Sequence, residues 1–101
     1  MITQATEFPA DYTVIDIETT GLSSSKNEII ELSALKIRND EIVDKFTTLV
    51  KPQGKISSFI KGLTGISNEM VAQAPKIDDI LDKYISFIGS DTVVGHNVHF
   101  D

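Results

Sequence analysis

The fold of this chain is decided by residues 12–21, which read Tyr-Thr-Val-Ile-Asp-Ile-Glu-Thr-Thr-Gly. A β-branched, apolar run opens the stretch and a Thr-Thr-Gly turn closes it, which predicts a strand over residues 12–18. The strand contains two acids, Asp16 and Glu18. Because side chains alternate between the two faces of a sheet, both carboxylates leave the strand on the same side.

Two neighbouring carboxylates at the end of an apolar strand repel each other, so they need a cation, a shared proton or exposure to water. Hard divalent cations such as Mg²⁺ and Mn²⁺ take oxygen ligands of this kind. The simpler interpretation is a solvated strand face. The neighbours Val14, Ile15 and Ile17 favour the metal, because they predict a central strand buried on both faces, where acids are costly unless they have a task.

Composition limits the classes of protein to consider. The 101 residues form one domain at most, with residues 1–10 as a leader and residues 11–101 as the domain. The net charge of −6 argues against a protein that simply coats nucleic acid, but not against an enzyme that meets phosphates through bound metal ions. The absence of cysteine excludes disulfides and thiolate metal sites. No apolar run approaches the roughly 20 residues of a membrane span, and no signal peptide is recognisable, so we expect a cytoplasmic protein without a membrane partner.

The next segment has the pattern of an antiparallel hairpin. Apolar residues recur through residues 28–37 and again through residues 41–50. The dipeptide Asn39-Asp40 between them is typical of a tight turn, which joins two antiparallel strands.

Short helices follow the hairpin. Ser57 and Ser58 are predicted to cap a helical piece over residues 59–63, and Ser67 to cap a further turn or two that ends before Pro75.

The last third of the chain predicts a helix and a final strand. From Lys76 to Gly89 the apolar residues follow the helical period, at Ile77, Ile80, Leu81, Tyr84, Ile85 and Ile88. Residues 91–95 then predict a short fourth strand. The order of strand, hairpin, helix and strand predicts an α/β fold with a mixed sheet and at least one parallel pairing.

Residues 96–101, His-Asn-Val-His-Phe-Asp, follow this strand without an obvious turn and look like the first turn of a helix. Each has an ordinary interpretation: loop histidines, a helix-capping Asn97, a core Phe100 and a terminal Asp101. A zinc site made of the two histidines and a carboxylate is possible, although no further ligands support it. The fourth strand would be left as an uncovered edge, which could pair with a second copy of the chain.

Two motifs resemble those of the DEDD (DnaQ-like) family of 3′–5′ exonucleases. Residues 16–22, Asp-Ile-Glu-Thr-Thr-Gly-Leu, resemble the first motif of the family, and residues 96–101 resemble the second. Residues 63–67, Leu-Thr-Gly-Ile-Ser, are similar to the segment that borders the substrate in that family. The resemblance extends from about residue 12 to the end and is greatest to the epsilon-type proofreading subunits and PolC-type exonuclease domains of DNA polymerase III. Either motif alone would be weak, whereas both in this order are specific.

The resemblance implies a ribonuclease-H-like mixed sheet with flanking helices, C-terminally truncated, because the third motif is expected beyond residue 101. It implies two divalent metal ions, Mg²⁺ or Mn²⁺, with Asp16, Glu18 and Asp101 as metal ligands and catalytic residues. It also places a set of residues around the terminal nucleotide or in support of the site, namely Thr19, Thr20, Leu22, Gly65, Ile66, Asn97 and Phe100.

The implied function is hydrolysis of the 3′-terminal phosphodiester of single-stranded DNA, in proofreading with a DNA polymerase subunit or in DNA repair. Without the third motif, the 101-residue chain alone is expected to have little or no activity. The alternatives are a non-catalytic metal- or nucleic-acid-binding module with the same fold, and an exonuclease directed at RNA.

Overall fold

The structure is a computed structural model that describes residues 10–21 and 27–96. Within these ranges four strands form one sheet, and three helices lie between the third strand and the fourth. The elements are β1 (Asp11–Thr19), β2 (Ile29–Arg38), β3 (Glu41–Leu49), α1 (Ser58–Thr64), α2 (Asn68–Val71), α3 (Ile77–Ile88) and β4 (Thr92–His96). Except for Ala10, the predicted leader lies outside the described residues.

The sheet is mixed, with strand order β3-β2-β1-β4. β1 pairs antiparallel with β2 and parallel with β4, and β2 pairs antiparallel with β3. This confirms the predicted α/β fold with one hairpin and one parallel pairing. In the described part of the chain β1 is an inner strand and β4 is an edge.

A two-residue turn joins β2 to β3, as the sequence predicts. Asn39 and Asp40 both have positive φ, at 51° and 65°. Two successive residues in the left-handed region form the turn whose twist suits an antiparallel hairpin, and Asn and Asp tolerate that region better than other side chains.

The described core lies against one face of the sheet. Ile15 and Ile17 of β1 pack into a cluster with Leu32, Ala34 and the helix α3 residues Ile80 and Tyr84. A second cluster joins Ile30 of β2 to α1 and α2 through Ile56, Ile60, Ile66 and Val71. Since Ile30, Leu32 and Ala34 alternate along β2, both clusters contact the same face.

The burial of β1 is less complete than the sequence predicts. Of its nine residues only Thr13 is buried, while Val14, Ile15 and Ile17 are half-buried. The prediction that β1 is buried on both faces is therefore wrong for most of its residues. The prediction that β1 is a central strand is confirmed.

Helix α3 buries a narrower stripe than its apolar period predicts. Ile80 and Tyr84 are buried, whereas Leu81 and Ile85 are 37% and 56% exposed. Phe46 of β3 stacks at a tilt on Tyr84, with the ring centroids 5.9 Å apart, and so directs the contact toward the Tyr84 side of the helix. The acidic residues between these apolar positions, such as Asp82, are exposed to solvent.

Ser57 and Ser67 cap α1 and α2 as predicted, whereas Ser58 is the first residue of α1. The Ser57 hydroxyl accepts a hydrogen bond from the Ile60 amide, and the Ser67 hydroxyl accepts one from the Met70 amide. Each satisfies an amide that the first helical turn leaves without an intrahelical partner. No helix in the described ranges is long and apolar enough to span a membrane.

A polar network fixes the start of β4 against the sheet. The Asp91 carboxylate accepts a hydrogen bond of 2.7 Å from the Thr13 hydroxyl and bonds of 3.0 and 3.2 Å from the Arg38 guanidinium. The Lys36 ammonium lies 3.6 Å from the same carboxylate. Three separated segments are thereby held together, and the parallel register of β4 on β1 is set at this end of the sheet.

Candidate metal and nucleotide site

The two acids of the first motif point to the sheet face opposite α3. Ile15 and Ile17 contact the α3 side, so Asp16 and Glu18 project from the other side of β1. The predicted pairing of these carboxylates on one face is therefore present. In the register with β2, Asp16 lies opposite Ser33 and Glu18 lies opposite Glu31.

Asp16 contains the feature that most needs a ligand. Its Oδ1 atom is buried and has no hydrogen-bond partner among the described residues. A buried acceptor without a donor loses the free energy of its water hydrogen bonds, about 1–3 kcal/mol and more when the group is charged. A hard cation satisfies such an oxygen directly, so the atom fits a divalent metal ion.

The negative charge of Asp16 also reaches the helix layer beneath the sheet. The Tyr84 hydroxyl donates a hydrogen bond of 3.0 Å to the backbone carbonyl of Ser33, the residue opposite Asp16. Burial, with a contribution from the Asp16 charge, raises the pKa of Tyr84 to about 12. Tyr84 is therefore a neutral donor that holds β2 in place under the acid pair.

Glu31 is a third acid on this face that sequence reasoning missed. Burial raises the pKa of Glu31 first, and the charges of Glu18 and Asp16 raise it further. The only signal for its position is the β1–β2 register. Nine residues of sequence separate Thr19 from Ile29, too many for a tight turn that would fix this register.

The described residues do not complete a metal site by themselves. Within residues 10–21 and 27–96, no three His, Cys, Asp or Glu side chains come together closely enough to hold a metal ion. The predicted third ligand, Asp101, lies outside the described residues, as do Leu22, Asn97 and Phe100.

The parallel pairing of β4 does bring the second motif to the first. Asp16 lies opposite His96 in the β1–β4 register. The backbone at the start of residues 96–101 therefore runs beside the strand that carries the acid pair. This is the topology that the convergence of Asp101 with Asp16 and Glu18 requires, although the position of Asp101 itself is not described.

The turn after β1 is fixed by local hydrogen bonds. The Thr19 hydroxyl donates to the Gly21 carbonyl, and the Thr20 hydroxyl accepts a bond of 2.9 Å from the Glu28 amide. A Cβ on Gly21 would lie 2.7 Å from Asn27 Oδ1, so a larger residue would force that amide to move. Thr19 and Thr20, which are predicted to border the terminal nucleotide, thus lie in a hydrogen-bonded turn at the end of β1.

Gly65 and Ile66 are placed differently from each other. Gly65 is exposed and ends α1 with φ of 78°, and its amide donates to the Lys61 carbonyl. Ile66 is only 4% exposed, with its side chain in the core cluster around Ile30. At this pair the exposed surface comes from Gly65, while Ile66 anchors the segment from below.

Comparisons of the sequence and of the fold with known proteins point to the same family. The chain matches the family profile described as Exonuclease over residues 13–101. It is 52% identical over 91 residues to the PolC-type DNA polymerase III of Caldanaerobacter subterraneus subsp. tengcongensis, and 46% identical over 94 residues to that of Clostridium perfringens. These alignments cover 90% and 93% of this chain but 6% of each relative.

Solved structures agree with the sequence matches. Exonuclease X in complex with 5′-overhanging duplex DNA superposes with a TM-score of 0.73 and 32% identity, over 89% of this chain and 51% of that chain. The nuclease domain of 3′hExo, a DEDDh family member bound to rAMP, gives a TM-score of 0.72 and 25% identity, over 90% and 52% of the two chains. The chain thus spans about half the length of these structures, and the resemblance drawn from the motifs is confirmed.

Proposed function

The chain belongs to the exonuclease family, and on that premise we propose that it provides the metal-binding and nucleotide-binding part of a 3′–5′ exonuclease acting on single-stranded DNA. Asp16, Glu18 and Asp101 would act as the metal ligands and catalytic residues. The domain would comprise residues 11–101, preceded by the leader of residues 1–10.

One observation carries the proposal: the buried, unpartnered Oδ1 of Asp16 on the face that Asp16 shares with Glu18. A purely structural acid at this depth would be expected to accept a hydrogen bond from a neighbouring donor. The oxygen-only donor set matches Mg²⁺ or Mn²⁺ rather than a softer metal. Two such ions, when bound, would supply positive charge for the phosphate and lower the pKa of an attacking water.

The protein's own residues would hold and orient the end of the strand. Asp16 lies on an inner strand, whose backbone is held on both sides, and this suits a metal ligand that must keep its position during the reaction. The terminal nucleotide would lie against the turn formed by Thr19 and Thr20 and against Gly65. Leu22, Ile66, Asn97 and Phe100 would border or support it, Ile66 through its anchoring of the backbone beneath Gly65.

A DNA polymerase is the partner that this proposal favours, in proofreading or repair. The support is the identity of 40–52% to PolC-type polymerases in several bacteria, of which the chain spans a small part. A cytoplasmic location follows from the same proposal.

Two measurements test the function separately from the partner. The first is calorimetric titration of the chain with Mn²⁺, in which Asp16→Asn should abolish binding. The exposed Asp82→Asn on α3 should leave it intact.

The second measurement uses a chimera in which the chain replaces the aligned residues of the Caldanaerobacter relative. The chimera should shorten a 5′-labelled oligonucleotide from its 3′ end, and Asp16→Asn should stop the reaction. A chimera that degrades DNA equally well with Asn at position 16 would overturn the proposal. A chimera that binds Mn²⁺ and DNA without hydrolysis would favour the non-catalytic module.

A further inference from the structure

Helix α1 presents a solvent-exposed apolar surface. Phe59 and Leu63 are 73% and 71% exposed, the two most exposed large apolar side chains in the described part of the chain. They are four residues apart, so they lie on the same side of the helix. Ile60, between them in sequence, is buried in the core, so the helix has one anchored side and one bare side.

Gly62 keeps this bare side open. A glycine inside a helix costs about 0.5–1 kcal/mol relative to alanine, so it usually has a conformational or packing reason. Gly62 does not have the positive φ that would require it, and a Cβ built on it would meet nothing within 4 Å. A larger side chain would therefore fit at position 62, and the glycine leaves the helix backbone open to close approach by a ligand.

The stretch of sequence that contains α1 has the opposite charge to the rest of the chain. One acid from outside it, Glu28, reaches its start by accepting hydrogen bonds from the Gln53 and Gly54 amides. No acid occurs between Asp44 and Glu69, and the stretch contains four lysines, of which Lys55 and Lys61 flank Phe59. With a net charge of −6 for the whole chain, the remaining residues carry −10. Lys55 and Lys61 are exposed and make no salt bridge within the described residues.

The surface lies at the same end of the sheet as the acid pair. Helix α1 is anchored by Ile60 on Ile30, and the next residue along β2 is Glu31, which lies opposite Glu18. The C-terminal end of α1 runs directly into Gly65, the exposed residue assigned above to the terminal nucleotide. Because Ile30 and Ile60 belong to the face that α3 covers, α1 lies on the sheet face opposite the acids. A strand whose 3′ end reaches the site would pass around this end of the sheet, at Gly65, to meet α1.

We propose that the α1 surface, made of Phe59, Gly62 and Leu63 with Lys55 and Lys61, binds the single-stranded DNA that precedes the 3′-terminal nucleotide. The inference deepens the proposed function and rests on it. Bases stack on the Phe59 ring and pack against Leu63, Gly62 lets the strand approach the helix closely, and the lysines face phosphates. Aromatic side chains interleaved with basic ones bind single strands in this sequence-tolerant way.

The test is the affinity of the full chain for a fluorescent oligo(dT) of about ten nucleotides, measured by anisotropy in chelator so that no hydrolysis occurs. The double variant Phe59→Ala/Leu63→Ala should bind about fivefold or more weakly. The matched control is Ile42→Ala/Val43→Ala, which removes two apolar side chains of β3 that are 63% and 55% exposed. This control should bind within twofold of the parent.

Salt dependence separates phosphate contacts from altered folding. For single strands, the slope of log affinity against log salt changes by about 0.7 per phosphate contact, so Lys55→Gln/Lys61→Gln should reduce its magnitude by about 1.4. The control Lys45→Gln/Lys83→Gln should leave the slope unchanged. Both lysine pairs are exposed, and thermal unfolding of every variant should match the parent.

Unchanged affinity in Phe59→Ala/Leu63→Ala would overturn the inference and leave the surface for a protein partner, as would a parent chain that does not bind the oligonucleotide. Failure of the proposed function is recognised independently, because it appears as absent Mn²⁺ binding or as hydrolysis that survives Asp16→Asn. If the chain fails to bind Mn²⁺, or if hydrolysis does not depend on Asp16, while DNA affinity still depends on Phe59, then α1 is a DNA-binding surface without the proposed reaction.

Discussion

Glu31 lies directly opposite Glu18 in the antiparallel pairing of β1 with β2. Like charges at directly opposed positions destabilise a sheet. Burial, then Glu18, then Asp16 raise the pKa of Glu31 above its ordinary value of 4.5. An acid whose pKa is raised by folding favours the folded state fully below its unfolded pKa, and this contribution is lost as the pH rises through the folded pKa. The acidic face therefore weakens the metal-free fold at neutral pH.

Glu31→Gln should raise the melting temperature of the chain at pH 7 in chelator, because it removes one of the three charges that repel. The difference from the parent should shrink as the pH is lowered toward 4.5, where the parent glutamate becomes protonated. Melting curves across this range check it, with the exposed Asp82→Asn as the control. A glutamine variant that melts below the parent at pH 7 would contradict it, since Glu31 would then have a partner that stabilises its charge.

Asp16→Asn should separate stability from cation binding. Without divalent ions the variant should melt at or above the parent, because it relieves repulsion and removes the negative charge from a buried group that has no donor. A ligand present at about 100 times its Kd stabilises a fold by about 2.7 kcal/mol. Mn²⁺ should therefore raise the melting temperature of the parent and leave that of Asp16→Asn unchanged. Equal Mn²⁺ stabilisation of both proteins would remove Asp16 from the site.

Asp91→Asn should destabilise the fold by about 1.5–3 kcal/mol at pH 7, the usual contribution of hydrogen bonds to a charged group. The Thr13 hydroxyl, together with the Arg38 and Lys36 charges, lowers the pKa of Asp91 below 3.8. This stabilisation is present above the unfolded pKa and is lost as the pH falls through the folded pKa, so the variant should lose less stability than the parent in acid. Denaturant titrations at pH 7 and below pH 3.8 measure it. If the parent and Asp91→Asn lost the same amount of stability on acidification, the Asp91 network would not be the cause of the acid sensitivity.

Two glycines of one segment should respond in opposite directions to the same substitution. Gly65→Ala should destabilise the chain by about 1–2 kcal/mol, because φ of 78° places a Cβ against the following carbonyl. Gly62→Ala should stabilise it by about 0.5–1 kcal/mol, which corresponds to several degrees in Tm. It should also weaken oligo(dT) binding. Stabilisation without any change in affinity would mean that the open side of Gly62 serves no ligand.

Much of the fold could be predicted because its signals are local. The strand of residues 12–18, the Asn39-Asp40 turn and the serine caps each depend on a few adjacent residues, and each is present. The same-face placement of Asp16 and Glu18 follows from the two-residue period of a strand alone. The site residues that depend on the second motif, Asp101 above all, stay predictions.

The sequence by itself determined which elements form and which residues of an element share a face, because these properties repeat with the period of the backbone. Only the tertiary structure decided that Glu31 joins the acid pair, that Ile66 and not Leu63 anchors its segment, and that Thr13 meets Asp91 across 78 positions. Such contacts depend on strand register and on which side of a helix the sheet receives. Both are set by how the whole chain packs, so no short stretch of sequence specifies them.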